Sequence, residues 1–242
     1  GVDNLWLMTG SDKVDMKSFN NTYSLFASNN IELSEKLNLT ASGRYNYTSL
    51  DLRDLYNATL VAQRSSNSKY NVSGDHTYAR FNPSIGLNFN PTKTLSLFTS
   101  YNEGTRTPTA LELGCANPVA PCKYPNQMAA DPHLKQVVAK TYEIGGQTLL
   151  ANNLKLNASV YRSENNNDIQ FVYASGSLGY FNNVGKTRRI GLDTSLSGSY
   201  NDFNWAAGYS YVEATYQSDL TLPNQVAMVA GNKIKLEAKM GG

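Results

Sequence analysis

The chain has 242 residues, 40% of them hydrophobic and 17% charged, with a formal net charge of +2. No apolar run approaches the roughly 18 residues a membrane helix needs, so a helical membrane protein is excluded. The low, nearly balanced charge also excludes a nucleic-acid partner and a disordered acidic or basic segment. What the composition does supply is 28 Asn, 16 Tyr and 18 Gly, a stock suited to a wall with one polar face and aromatic belts.

The chain opens at Gly1 without a Met, a basic n-region or an apolar h-region, and it ends on Gly241 and Gly242 inside a strand-like pattern. It is therefore expected to be part of a larger protein, with residues 1–242 forming one portion of a single β-barrel domain. Period-two alternation predicts strands near 19–33, 37–52, 78–90, 95–105, 141–150, 154–173, 180–200 and 203–217, and from 233 onward. From Leu37 to Thr48, for example, Leu37, Leu39, Ala41, Tyr45 and Tyr47 share one face, and Asn38, Thr40, Ser42, Arg44 and Asn46 share the other.

Connections at Ser34-Glu35-Lys36, Asn90-Pro91-Thr92-Lys93, Ala151-Asn152-Asn153 and Asn201-Asp202 read as tight turns. Between them fall connections at about 53–77, 106–140, 174–179 and 218–232, three of them much longer than a hairpin requires. This alternation of short and long predicts an antiparallel up-and-down transmembrane β-barrel, all-β, present as a partial barrel of about nine strands in a bacterial outer membrane. Tight turns would face the periplasm and long connections the exterior. On the outward parity, Tyr45, Tyr47, Tyr101, Tyr142, Tyr209 and Tyr211 lie toward the long-connection ends, and Phe89 and Trp205 lie near the tight turns, as two interfacial girdles would. A soluble β-sandwich also alternates. Its apolar face, however, carries bulky residues against a second sheet, whereas this one mixes Leu with Ala, Gly, Thr and Tyr. Its connections need not alternate in length.

Some passages say more than the pattern does. Tyr101-Asn102-Glu103-Gly104-Thr105-Arg106-Thr107-Pro108-Thr109-Ala110-Leu111-Glu112-Leu113 resembles the strand-to-loop passage of TonB-dependent outer-membrane receptors, in which an aromatic, a Gly and Arg-x-Pro precede an acidic loop entry. Thr141-Tyr142-Glu143-Ile144-Gly145 resembles the family's next strand opening. The stretch from Tyr180 to Asp193 is similar to its aromatic-Asn-Val-Gly passage followed by Arg-x-Gly and an acid. Together these cover about 95–217, half the chain, in order. The resemblance implies a barrel of roughly 22 strands, occluded by a plug, that imports scarce ligands such as ferric siderophores, haem, cobalamin or sugars. Its partners would be the TonB complex, reached through a plug and a TonB-contacting box absent from these residues, outer-membrane lipid, and a small ligand such as a ferric siderophore. No cofactor is expected.

Parity directs Arg106 and Glu143 into the lumen, along with Arg44, Arg80 and Asp193, where charge is tolerated because the lumen is wet or filled by polar protein. Inter-strand or plug-facing ion pairs account for them as well as ligand contacts do. Cys115 and Cys122, with six residues between them in the longest connection, are expected to pair in an oxidising exported compartment. Closing so small a ring is worth about 2–3 kcal/mol against the unfolded loop. A metal site using these thiols with His133 lacks both a second ligand pair and the usual spacing. Tyr124, Asn126, Gln127, Asp131 and His133 make 106–140 the candidate ligand-contacting loop, since loops on rigid scaffolds carry recognition. His76 is expected in a solvated loop like His133, with neither histidine on a strand.

Enzyme signatures are missing: there is no Gly-x-Ser-x-Gly elbow, no His-Glu-x-x-His and no phosphate-cradling glycine loop. An active receptor is therefore expected, with a passive diffusion channel as the alternative and a barrel enzyme behind both.

Overall fold

The computed structural model describes residues 2–7, 14–55, 73–116, 134–151, 153–175, 178–219 and 229–234. Its strands are β1 (Val2–Leu7), β2 (Val14–Ser34), β3 (Leu37–Asp54), β4 (Gly74–Phe89), β5 (Leu95–Arg106), β6 (Val137–Ala151), β7 (Leu154–Asn166), β8 (Ile169–Ser175), β9 (Leu178–Asn183), β10 (Thr187–Tyr200) and β11 (Phe203–Tyr216). One helical turn, Ala110–Leu113, completes the described elements. Nine strands form a single antiparallel sheet in the order β1-β2-β3-β4-β5-β6-β7-β10-β11, with β8 and β9 as a separate two-stranded sheet. The nine-stranded sheet is an open wall, because β1 and β11 do not pair with each other. Tight turns join β2 to β3, β4 to β5, β6 to β7 and β10 to β11, all at one end, and the strand ends joined by the longer connections are at the other.

Register shows how the sequence makes two faces. One outward row runs Leu97, Gly146, Ala158, Thr194, Tyr209 across β5, β6, β7, β10 and β11, and the next runs Thr99, Ile144, Val160, Leu192, Tyr211. On this face Tyr23, Leu25, Ile85, Ile144, Val160 and Tyr209 are exposed, which suits lipid and not water. Along β11, Phe203 to Tyr211 measures about 26 Å at about 3.3 Å per residue. At a tilt of about 40° that is an apolar depth of about 20 Å, close to the band of a bacterial barrel. The inner face is polar and satisfies itself across strands. Thr22 meets Thr48 at 3.0 Å, Ser24 donates to Asn46 at 2.8 Å, Thr40 to Asn30 at 2.8 Å, and Asn157 to Ser195 at 3.0 Å.

Two strands expected to be continuous, 154–173 and 180–200, are each broken. β7 ends at Asn166 and β10 starts at Thr187, so the wall pairing passes directly from β7 to β10. The residues between them fold off as the β8–β9 hairpin. The break has a local cause: Asn167 takes φ 55° and Gly185 takes φ 85°, left-handed conformations that Asn and Gly accept at least cost. Asp168 then locks the base. Its N–H donates to Gly185 O at 3.0 Å, its carbonyl accepts from Val184 N at 2.7 Å, and its carboxylate accepts from Thr187 Oγ1 at 2.8 Å. β1 and the helical turn were also unforeseen. Of the strand expected from 233, the described part is a single bridge, Thr215 to Lys233.

The apolar core lies where a simple wall would have none. Met16, Leu50 and Leu52 occupy inner-face positions at the long-connection end, and they cluster with Leu113, Ala116, Leu134, Val137 and Ile169. Leu113 is fully buried and Leu52 is 1% exposed, so each contributes on the order of 1.5–3 kcal/mol. Loop and hairpin thus fold inward over the wall.

Candidate functional site

That inward-folded cap at the long-connection end is the candidate site. Its floor is the upper inner face of β2 to β4, its roof the β8–β9 hairpin, and its side the segment from β5 through the helical turn. Thr109 starts the turn with a reciprocal capping box. Its side chain accepts from Glu112 N at 3.2 Å, and its backbone N–H donates to Glu112 Oε2 at 2.8 Å. The same Oε2 accepts from Arg106 Nη1 at 2.7 Å. Arg106 therefore anchors the loop entry to the end of β5, and the Arg-x-Pro-Thr run converts a strand into a capped turn.

The turn delivers Cys115, 1% exposed, onto the hairpin. Phe181 N donates to Cys115 O at 2.6 Å, and Cys115 Sγ lies 3.8 Å from Gly179 O. Cys115 is disulfide-bonded. The sequence holds one other cysteine, Cys122, which lies outside the described residues, as do Tyr124, Asn126, Gln127, Asp131 and His133. Phe171 and Phe181 meet edge to face on the hairpin, with centroids 5.2 Å apart. Tyr216, at the end of β11, reaches the hairpin from the wall, donating to Gln170 Oε1 at 3.0 Å. Burial, with the Asp168 carboxylate beside it, pushes the Tyr216 phenol above its ordinary pKa.

His76 is not the solvated loop residue expected. It lies in β4, 4% exposed, its ring stacked 6.3 Å from that of Tyr78. The strand runs further than its alternation suggested because the inward cap covers this inner end. Tyr78 is tied to the cap directly, donating to Leu134 O at 3.0 Å.

The expected lumen charges fall in different settings. Arg44 on the inner face of β3 stacks over Phe26, 5.5 Å from the ring centre. Glu143 stands opposite Ser100 and Tyr161, and Asp193 opposite Ser159 and Ser210, where it lines a groove with Asn88, Ser96, Phe98 and Asn157. Arg80 belongs to a seam. The β4–β5 ladder stops at Ser84 and Asn102. Beyond it Asn82 donates to Thr105 at 3.1 Å, and Arg80 pairs with Glu103 at 2.7 Å. Lys140 approaches Glu103 from the other side at 3.5 Å. Gln136 Nε2 donates to Ala79 O at 3.3 Å, so side chains take over where backbone pairing ends.

Sequence reasoning missed the hairpin, although a signal was there. The Asn165-Asn166-Asn167-Asp168 run and Val184-Gly185-Lys186 both interrupt the alternation, and they face each other across the hairpin base.

Comparison with known proteins places this geometry. The family model for the TonB dependent receptor-like β-barrel matches residues 4–238. The probable TonB-dependent siderophore receptor PiuA of Acinetobacter baumannii is 28% identical over 193 residues, covering 79% of this chain and 23% of that protein. The crystal structure of the siderophore receptor PiuA from A. baumannii has a TM-score of 0.61 at 23% identity, covering 87% of this chain and 28% of that one. The copper transporter OprC gives 0.62 at 17% identity, covering 84% and 29%. The ferric-catecholate import receptor Fiu from E. coli K12 gives 0.61 at 15% identity, covering 84% and 29%. These structural likenesses speak to the fold, and the chain spans about a quarter of the length of the curated relative it matches.

Proposed function

This chain belongs to the TonB-dependent receptor-like β-barrel family, and from that membership we propose that the complete protein is an outer-membrane receptor importing a scarce ligand of the ferric-siderophore class. Ligand is captured on the exterior side, at the cap formed by the disulfide-bearing connection and the β8–β9 hairpin. Import is coupled to TonB through a plug that other parts of the protein supply. The observation that carries this reading is the inward cap itself: Leu113, Ala116, Leu134 and Ile169 are buried in one cluster with Met16, Leu50 and Leu52 of the wall. A passive pore gains by keeping its mouth open, whereas a capture device gains from an ordered, roofed one. The relatives named for siderophore and ferric-catecholate uptake support the ligand class.

Uptake of radioactive iron from a siderophore panel tests it, in iron-starved cells with the gene intact, deleted or restored. The expected result is saturable uptake that needs the gene, TonB and an energised inner membrane. Linear flux indifferent to TonB would point instead to a passive channel.

A further inference from the structure

At the head of the β4–β5 seam lies a cleft of about 300 Å³, where three parts of the cap converge. Tyr78 and Arg80 of β4 line it, with Lys135 and Gln136 of the segment leading into β6 and Asn167 of the hairpin base. The lining is held from several sides. Tyr78 and Gln136 tie the segment to β4, through Leu134 O at 3.0 Å and Ala79 O at 3.3 Å, and Asn183 grips the Lys135 backbone. Lys135 itself is exposed, and among the described residues it forms no ion pair. No carboxylate is among the described residues that line the cleft. Arg80 is incompletely satisfied: its Nη2 donates to Glu103 Oε2 at 2.7 Å, but its buried Nε meets no acceptor among the described residues. We propose that this cleft binds one anionic oxygen-bearing arm of the imported ligand, a carboxylate or a catecholate, held by Lys135 and Arg80.

Charge and size both point this way. Glu103 has a second cation in Lys140, at 3.5 Å, so Arg80 can turn toward the cleft without stranding that carboxylate. The guanidinium fork and the ammonium of Lys135 both donate to anionic oxygens, and such charge-assisted bonds are the strong ones. At the lower end of the about 300–1,000 Å³ typical of ligand pockets, the cleft suits a single arm of a ferric complex and not the whole of it. The inference rests on the receptor reading above and narrows its ligand to anionic complexes.

The test uses the full-length receptor in detergent, with equilibrium binding measured for ferric tris-catecholate, for ferric citrate and for a neutral ferric tris-hydroxamate complex. At least one anionic complex is expected to bind about tenfold more tightly than the neutral one, the increment of a charge-assisted hydrogen bond. Which of the two does so tells a catecholate arm from a carboxylate arm. Lys135→Gln, which leaves the backbone bonds to Asn183 in place, should erase the margin and leave the neutral complex unaffected. Arg80→Gln should act in the same direction. Lys135→Arg should keep the margin, as should Lys155→Gln, which removes a cation at the tight-turn end. A parent receptor with no preference for either anionic complex would overturn the inference. So would a Lys135→Gln variant, still a heat-modifiable barrel, that loses nothing or loses charged and neutral complexes equally; saturable, TonB-dependent uptake would then leave the receptor reading standing. Binding of no ferric complex, together with linear iron flux indifferent to TonB, would overturn both.

Discussion

Asn183 and Lys135 hold each other through a reciprocal pair of hydrogen bonds: Lys135 N donates to Asn183 Oδ1 at 2.9 Å, and Asn183 Nδ2 donates to Lys135 O at 3.1 Å. The same Nδ2 reaches Asn167 O at 2.7 Å. One side chain thereby buckles the hairpin base to the segment that leads into β6. Asn183→Ala removes all three bonds, at about 1 kcal/mol each. Hydrogen exchange across Ile169–Ser175 and Leu178–Asn183 should rise by roughly a hundredfold, with β10 and β11 unaffected. Unchanged protection of the hairpin would show that its other contacts, Phe181–Cys115, Tyr216–Gln170 and the Asp168 base, hold it without Asn183.

The disulfide at Cys115 should act on the cap and not on the wall. With Cys115→Ser and Cys122→Ser together, the Phe181 amide, which donates to Cys115 O, is expected to lose about 2–3 kcal/mol of protection. The heat-modifiable barrel band should persist. Loss of the folded band would mean that the cap contributes to wall assembly.

Glu103 is the hinge of the β4–β5 seam, with its side chain 10% exposed between Arg80 and Lys140. Glu103→Gln keeps the shape and removes the charge, leaving two cations facing each other. Exchange at Ala79–Asn82 and Glu103–Arg106 should rise by about tenfold, equivalent to about 1.4 kcal/mol. High salt should narrow the difference. A variant indistinguishable from the parent would assign the seam's order to Asn82–Thr105 and Gln136–Ala79 instead.

Thr194 and Ser195 are neighbours on opposite faces at mid-depth. Thr194→Lys places a charge in the apolar band and should cost about 2–4 kcal/mol, read from denaturant refolding into lipid. Ser195→Lys meets the polar inner face and should cost under about 1 kcal/mol. Equal costs would contradict the assignment of faces.

How much of this was legible in the residues follows from where the forces are local. The wall was readable because alternation is a period-two property of each strand, and the tight turns at Glu35-Lys36 and Asn201-Asp202 announce themselves. Tyr45, Tyr142 and Tyr209 marked the outward face for the same reason. The cap was not readable. Met16, Leu50 and Leu52 sit on the polar parity, and only the arrival of Leu113, Leu134 and Ile169 from distant positions explains them. His76 was misplaced in a loop for that reason, its burial being set by the cap above it. The seam was hidden too, because a ladder that ends at Ser84 and Asn102 leaves no mark in either strand's own alternation.

The most direct test of the account is a nitroxide scan along Thr187–Tyr200 and Phe203–Tyr216 in the full-length receptor in lipid vesicles, measuring collisions with oxygen and with a water-soluble nickel complex. The account predicts accessibility with a period of two. Oxygen should dominate at Leu192, Thr194, Leu196, Ala207 and Tyr209, and nickel at Asp193, Ser195, Ser197, Gly208 and Ser210 if water reaches the inner face, with both reagents falling there if a plug fills it. Uniform nickel accessibility on both parities would contradict it, because neither face would then meet lipid.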